Sequence, residues 1–386
     1  MVKSVTDEKG NKHLITGKIG ADGQGILYAT KNKDIIIRDA ENRNEHAQRY
    51  DNTKLLPLSE IDNLLLPMDC LKEPNIGYTL NIPTDFVPLS TIMTPGSKLD
   101  FYIKTGGFKR RLEILANISK ILIKLHSLPC IYGSMSPNRI FISSKVMSGE
   151  VFLLYSVKID FMMNFTEEKD SDTYIAPESM RGRGSSFASD SFTLGALSND
   201  LLTMEGAYDI IDPKIKDLLE KALDEPSKRP KMSDFYKTFF QCLDSLVSCK
   251  KCYNSFFYDI KLCPNCQNPA PKLIKAVIRD KVGESNIVRG MKILEIATHQ
   301  QCFYNYHTDI VLLDDDIVPR IACMLNISED RKLNMIYKNL MDKEIYVNDK
   351  SVAPNQVMLI PLKSDVIRLN FKLYSKTERC IDMVMI

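Results

Sequence analysis

The stretch Tyr132-Gly133-Ser134-Met135-Ser136-Pro137-Asn138-Arg139-Ile140 decides the fold, but only together with what stands on either side of it. Just before it, apolar residues fall every three to four positions (Leu112, Leu115, Ile118, Ile121, Leu122, Leu125), which predicts a helix with a buried face over residues 108–125. Further upstream, residues 12–90 read as short strands at 14–18, 25–30, 35–38 and 77–81, separated by turn residues. The first two flank Ile19-Gly20-Ala21-Asp22-Gly23-Gln24-Gly25-Ile26-Leu27-Tyr28. Glycines in such a turn let the backbone approach a phosphate closely and aim amides at it, although alone they mark only a hairpin. Downstream come Val157-Lys158-Ile159-Asp160-Phe161-Met162, Tyr174-Ile175-Ala176-Pro177-Glu178, Ser189-Asp190-Ser191-Phe192-Thr193-Leu194-Gly195 and Lys228-Arg229-Pro230. Helices are expected over residues 190–202 and again between 212 and 246.

Taken in order, these six segments resemble the glycine-rich loop, catalytic loop, Asp-Phe-Gly strand, Ala-Pro-Glu motif, long buried helix and Arg-Pro of a bacterial serine/threonine protein kinase. The resemblance covers roughly the first 240 residues and implies a bilobal fold, with a fold-supporting role for Asp190 and a buried Glu178–Arg229 pair. It also implies candidate nucleotide contacts at Gly20, Gly23, Gly25, Arg38 and Asp160, with ATP and Mg²⁺ as candidate ligands.

The chemistry departs from the pattern. Kinase phosphoryl transfer needs a lysine on the phosphates, an aspartate near the acceptor hydroxyl, and an aspartate plus an asparagine on Mg²⁺. Arg38 matches the lysine; it keeps the charge, but its planar fork presents donors differently. Ser134 matches the proton-accepting aspartate, and a neutral hydroxyl does not accept a proton as a carboxylate does. Arg139 matches the metal-ligating asparagine, where a cation repels Mg²⁺. Asp22 replaces the middle glycine of the loop. No carboxylate between Arg38 and Gly77 stands out as the lysine's partner; Glu41, Glu45 and Glu60 remain open. No catalytic residue is therefore intact, and a pseudokinase is expected. The alternative is an atypical active ATP-dependent kinase in which Asp160 alone holds Mg²⁺. Between Asp160 and Glu178 the activation loop is very short and includes Thr173 and Tyr174 as candidate modification sites.

Of ten cysteines, six (Cys70, Cys130, Cys242, Cys302, Cys323, Cys380) stand singly in apolar surroundings and read as reduced core residues. The other four form two C-x-x-C turns: Cys249-Lys250-Lys251-Cys252, ten residues, then Cys263-Pro264-Asn265-Cys266. Each turn sets two thiolates on one side of a knuckle, and two knuckles make a closed tetrahedral S₄ site suited to structural Zn²⁺. The intervening Tyr253, Phe256, Phe257, Tyr258 and Ile260 predict a β-hairpin between the knuckles, as in a zinc ribbon.

Residues 290–386 contain strand-like segments near 292–296, 309–313, 333–337, 344–347 and 366–374. His307-Thr308-Asp309-Ile310-Val311-Leu312, Val318-Pro319-Arg320-Ile321-Ala322, Glu344-Ile345-Tyr346-Val347-Asn348-Asp349-Lys350 and Ser364-Asp365-Val366-Ile367-Arg368-Leu369 resemble a forkhead-associated domain, a β-sandwich family that binds phosphothreonine. The family's phosphate-contacting serine is Pro319 here, its packing histidine is Ala322, and Phe303 lies about where its phosphate-binding arginine belongs. Proline offers phosphate neither hydroxyl nor N–H, so protein docking is the expected role.

The expected architecture is α+β. A bilobal protein-kinase-like domain (1–245, with lobes 1–82 and 83–245) is followed by a zinc ribbon (246–271) and a β-sandwich (272–386). It resembles the kinase-like members of bacterial tellurium-resistance-type phosphorylation modules, which pair with a von Willebrand-type protein and a phosphatase. A net charge of +2 with mixed signs gives no basic stripe, so protein partners are expected rather than nucleic acid or membrane. The charged start and the lack of a long apolar run predict a cytoplasmic protein.

Overall fold

The computed structural model describes residues 4–22, 25–39, 54–93, 99–133, 135–156, 159–161, 174–181, 184–203, 212–296, 300–308, 320–328, 334–361, 366–374 and 377–386. The chain divides into two units, Met1–Phe240 and Gln241–Ile386.

In the first unit, β-branched and aromatic residues alternate with turn formers and build a six-stranded antiparallel sheet. Its order is Ser4–Thr6, Lys12–Asp22, Gly25–Thr30, Ile35–Asp39, Gly77–Asn81 and Pro67–Cys70. Leu27, Ile36, Ile37, Tyr78 and Leu80 are buried along it. The expected helix spans Gly107–Ser127, and Leu112, Leu115, Ile118, Ile121, Leu122 and Leu125 all face the core. A four-stranded sheet follows the order Leu64–Leu65, Val151–Leu154, Ile140–Ser143, Phe86–Pro88. A short ladder pairs Cys130–Ile131 with Asp160–Phe161, so the backbone of Asp160 lies opposite Ile131, just before the 132–140 loop.

The helix Phe187–Leu202 starts three residues earlier than expected, because Ser186 and Ser189 form a reciprocal capping box. It packs against Pro213–Ala222 so closely that a Cβ on Gly195 would stand 2.5 Å from the Ala222 Cβ; only glycine fits there. Met232–Leu243 follows, and the division between units falls inside it.

Besides a short ladder at the cysteines, the second unit holds two larger antiparallel sheets. One runs Ser285–Glu295, Leu273–Val282, Thr377–Met385, Ile367–Tyr374, Ile345–Val347, Lys350–Val352; the other runs Gln301–Tyr304, Ile321–Ser328, Asn334–Asn339, Val357–Pro361. Both contribute to a single core that includes Ile274, Leu294, Phe303, Leu325, Tyr337, Leu369 and Ile381, which is the face-to-face packing of a sandwich. The strand expected over 309–313 lies outside the described residues.

The cysteine segment differs from expectation in one respect. Its hairpin does not lie between the knuckles. Leu246–Ser248 pairs with Ser255–Phe257 around the first knuckle, and an isolated bridge, Leu262 to Pro269, brackets the second. The cause is local: the Cys249 amide donates to the Asn254 carbonyl at 2.8 Å, which closes the turn and sends the aromatic run back along residues 246–248. Val247, Cys249, Phe256 and Cys263 form one small core with Leu273 and Ile293.

No helix among the described residues is long and apolar enough to cross a membrane. Of the six single cysteines, Cys130, Cys242, Cys323 and Cys380 are buried and Cys70 and Cys302 half-buried, all as free thiols.

Candidate functional site

The four expected ligands are brought together. The sulfurs of Cys249, Cys252, Cys263 and Cys266 all lie within 4.8 Å of one another. Cys249 Sγ is 3.6 Å from Cys266 Sγ, and Cys252 Sγ is 3.5 Å from Cys263 Sγ. Four thiolates at ~2.3 Å from a central zinc have edges of about 3.8 Å, so this donor set fits the ion with little adjustment. The two knuckles share one geometry. In each, the first cysteine's amide donates to the carbonyl five residues on (Cys249 to Asn254, Cys263 to Asn268, both 2.8 Å). Its carbonyl accepts from the amide four residues on (Tyr253 to Cys249, Gln267 to Cys263, both 2.9 Å). The residue four places on has a positive φ, 61° at Tyr253 and 57° at Gln267. Burial pushes the Cys252 thiol up, but hydrogen bonds from the Asn254 amide and the Asn265 and cysteine side chains outweigh it and hold the thiol down to about 7. Cys263 and Cys266 are shifted the other way, Cys263 by burial first and both by the neighbouring thiols, a penalty that a cation among the four sulfurs would offset.

The second candidate region is the loop 132–140 with its supports. Asp190, in the first turn of Phe187–Leu202, accepts from the Tyr132 amide at 2.8 Å and from the Gly133 amide at 2.9 Å. It also pairs with His126 Nε2 at 2.9 Å, and its side chain is 3% exposed. One buried carboxylate therefore fixes the entry to the loop and the end of the Gly107–Ser127 helix. Glu178 and Arg229 form the expected pair with two parallel bonds: Nη1 to Oε1 at 2.5 Å and Nη2 to Oε2 at 3.0 Å. The Arg229 side chain is 2% exposed, and its Nη1 also donates to the Ala188 carbonyl. Burial pushes the Glu178 carboxyl up, yet the Arg229 bonds outweigh it and hold it below the ordinary carboxylate range. Thr193 Oγ1 donates to the Tyr174 carbonyl at 2.9 Å, and the Tyr174 hydroxyl donates to Asp200 at 2.9 Å, fixing the chain just before Glu178.

Of the expected nucleotide contacts, Arg38 is 2% exposed on the strand Ile35–Asp39. Arg139, at the metal-ligand position, is wholly buried. Ser134, Gly23 and the segment 162–173 lie outside the described residues, and of Asp160 only the backbone is described. Gly20 and Ala21, at the inner end of the glycine-rich hairpin, lie against Asn138. The Asn138 Nδ2 donates to the Ala21 carbonyl at 2.9 Å, and a Cβ on Gly20 would meet the Asn138 Cγ and Oδ1 at 2.9 Å. Sequence reasoning passed over Asn138 because in the resembling motif its position accepts any residue.

Sequence reasoning also missed Asp244, between the last helix and the first knuckle. Its carboxylate accepts from Lys292 Nζ at 2.5 Å, the Tyr306 hydroxyl at 2.6 Å and His307 Nε2 at 2.8 Å. Burial alone would raise Asp244, but Lys292 and His307 hold it down at about 2. His307 Nδ1 accepts from the Tyr304 amide at 3.0 Å, so the ring is neutral with its proton on Nε2. Burial lowers its pKa against the pull of Asp244. Phe303, expected near a phosphate site, is wholly buried with its ring edge-on to His307, and Ala322 is buried too; Pro319 lies outside the described residues.

No protein-family model matches the sequence, and no curated protein matches it. In shape the chain is similar to a rhoptry kinase from Toxoplasma gondii, with 13% identity and a TM-score of 0.49 over 63% of this chain and 84% of that one. It is also similar to a Toxoplasma gondii specific rhoptry antigen kinase domain, with 13% identity and a TM-score of 0.47 over 63% of this chain and 86% of that one. Likeness this distant says nothing of nucleotide, substrate or catalysis.

Proposed function

We propose that this chain is a pseudokinase: a regulatory or scaffold protein on a protein-kinase-like fold, with a structural zinc ribbon and a docking β-sandwich, acting through protein contacts in a signalling module. One contrast carries the reading. Contacts that hold such a scaffold together are complete (Asp190 on the loop amides, Arg229 on Glu178), while the side chain at the metal-ligand position, Arg139, is a guanidinium sealed inside the fold. A buried guanidinium offers Mg²⁺ no lone pair. The β-sandwich fits docking rather than phosphothreonine reading, since an apolar Phe303, wholly buried, stands about where the phosphate-binding arginine would be needed.

The test is a thermal-shift titration with ATP and Mg²⁺, against a metal-free control, beside an assay for labelled phosphate transferred to the chain or to a generic protein acceptor. The expected result is no label on protein. Mg²⁺-dependent stabilisation together with label on protein would sink the reading in favour of an atypical active kinase.

A further inference from the structure

The Asn138 carboxamide is used on both of its faces. Its Oδ1 accepts from the Ser90 hydroxyl at 2.7 Å while its Nδ2 donates to the Ala21 carbonyl. Ser90 belongs to the 3₁₀ turn Leu89–Ile92, and its own amide donates to the Pro137 carbonyl at 3.4 Å. The turn thus holds the 132–140 loop at two points, and the loop holds the hairpin of Lys12–Asp22 and Gly25–Thr30 at a third. Gly20 is what permits the approach, since any Cβ there would run into Asn138.

A glycine-rich hairpin receives a triphosphate only if its amides face an open gap, with the loop that follows Cys130–Ile131 on the far side. Here the two sides are joined by a direct hydrogen bond, and a phosphoryl group is thicker than that contact. The residues present therefore do not fit a bound nucleotide in this arrangement. We infer that Ser90, Asn138 and Ala21 form a latch that shuts the glycine-rich hairpin onto the 132–140 loop, so that this cleft admits a nucleoside triphosphate only when the latch opens. The nucleotide as the gated ligand rests on the kinase-like reading above; the latch itself rests on the three contacts.

The experiment uses the full chain. Hydrogen exchange is followed in peptides covering residues 18–28, in the wild type, Asn138→Ala and Gly20→Ala. The first variant removes both bonds of the relay; the second keeps every hydrogen-bonding group and pushes the sides apart. Losing one or two such bonds is expected to speed exchange there about fivefold to tenfold while other peptides are unchanged. Unchanged exchange in both variants would overturn the latch. A parallel titration with Mg²⁺ and ATP is expected to show at least fivefold tighter binding to Asn138→Ala than to the wild type. Equal, measurable affinity in the two would overturn the gating. Faster exchange with no ATP binding to either would keep the latch and remove only the nucleotide reading.

Discussion

The cysteine module and the 132–140 region are both places where chemistry-bearing residues are expected, and they turn out oppositely. In the module all four ligands converge, with sulfurs within 4.8 Å. Around the loop, the residues that converge are those that support backbone, Asp190, Glu178 and Arg229, whereas Arg38 and Arg139 are buried and Asn138 lies against Gly20 and Ala21. A metal site is defined by its ligands and persists only if they meet; the contacts that hold a loop in place are made by other residues than those that would do chemistry on it, so a fold does not by itself imply a reaction. The two regions can be set against each other by experiment.

The largest effect belongs to the module. Elemental analysis is expected to find one tightly held zinc per chain, lost in Cys263→Ser. Structural zinc commonly contributes more than 10 kcal/mol to a small module's folding, and the core here is small, so chelation should unfold residues 246–271 locally. Protease cleavage confined to that segment after chelation is the measurement. A metal-free chain with an intact, protease-resistant segment would erase the contrast.

Next comes Glu178→Ala, which leaves the Arg229 guanidinium inside the first unit without its carboxylate. Breaking such a pair costs about 3 kcal/mol or somewhat more, read as a lower denaturant midpoint with an unchanged slope. By contrast, Arg139→Asn, which places a residue able to ligate a metal at that position, is expected to bring no Mg²⁺ affinity. If it did, the region around the loop would be a metal site one substitution from completion, and the comparison would fail.

A third prediction concerns acid stability of the second unit. Asp244 titrates near 2 when folded against an ordinary 3.8, so the stability it lends is complete above 3.8 and is lost as pH falls toward 2. His307 is also depressed, below its ordinary 6.5; its contribution is present above 6.5 and is lost as pH falls through its folded value. Both signs agree, so acid destabilises this unit in two steps. Asp244→Asn should cost about 2 kcal/mol at pH 7, where it strands part of the Lys292, Tyr306 and His307 donor set. It should also flatten the lower step of the pH profile.

What the sequence made legible follows from the range over which its signals act. The helix Gly107–Ser127 lies within two residues of its expected limits because helical periodicity is carried by the helix itself. The cysteine ligands were legible because each C-x-x-C is local and only the pairing of knuckles is long-range. Glu178 and Arg229, 51 residues apart, were found through the ordered motifs alone. Asp244 was invisible: its partners lie 48 to 63 residues away and no pattern around it marks them. The ribbon hairpin was misplaced because alternation in Tyr253–Ile260 says which residues can be strand, not which strand they pair with.

The smallest effect bears on how equivalent the two knuckles are. Tyr253 and Gln267 both hold left-handed φ, a conformation that disfavours any side chain with a Cβ by about 1 kcal/mol or slightly more. Glycine removes that cost but loses more chain entropy on folding, by roughly 0.5–1 kcal/mol. Tyr253 is 71% exposed and Gln267 is also exposed, so little packing is lost in either case. Tyr253→Gly and Gln267→Gly should each therefore stabilise the metal-bound chain by about 0.5 kcal/mol, seen as a rise in Tm of the second unit. Matched gains would mean that metal binding sets the two knuckles alike. If Tyr253→Gly instead destabilised the protein, that ring would be covering apolar surface in solution, and the first knuckle would be held by packing as well as by its sulfurs.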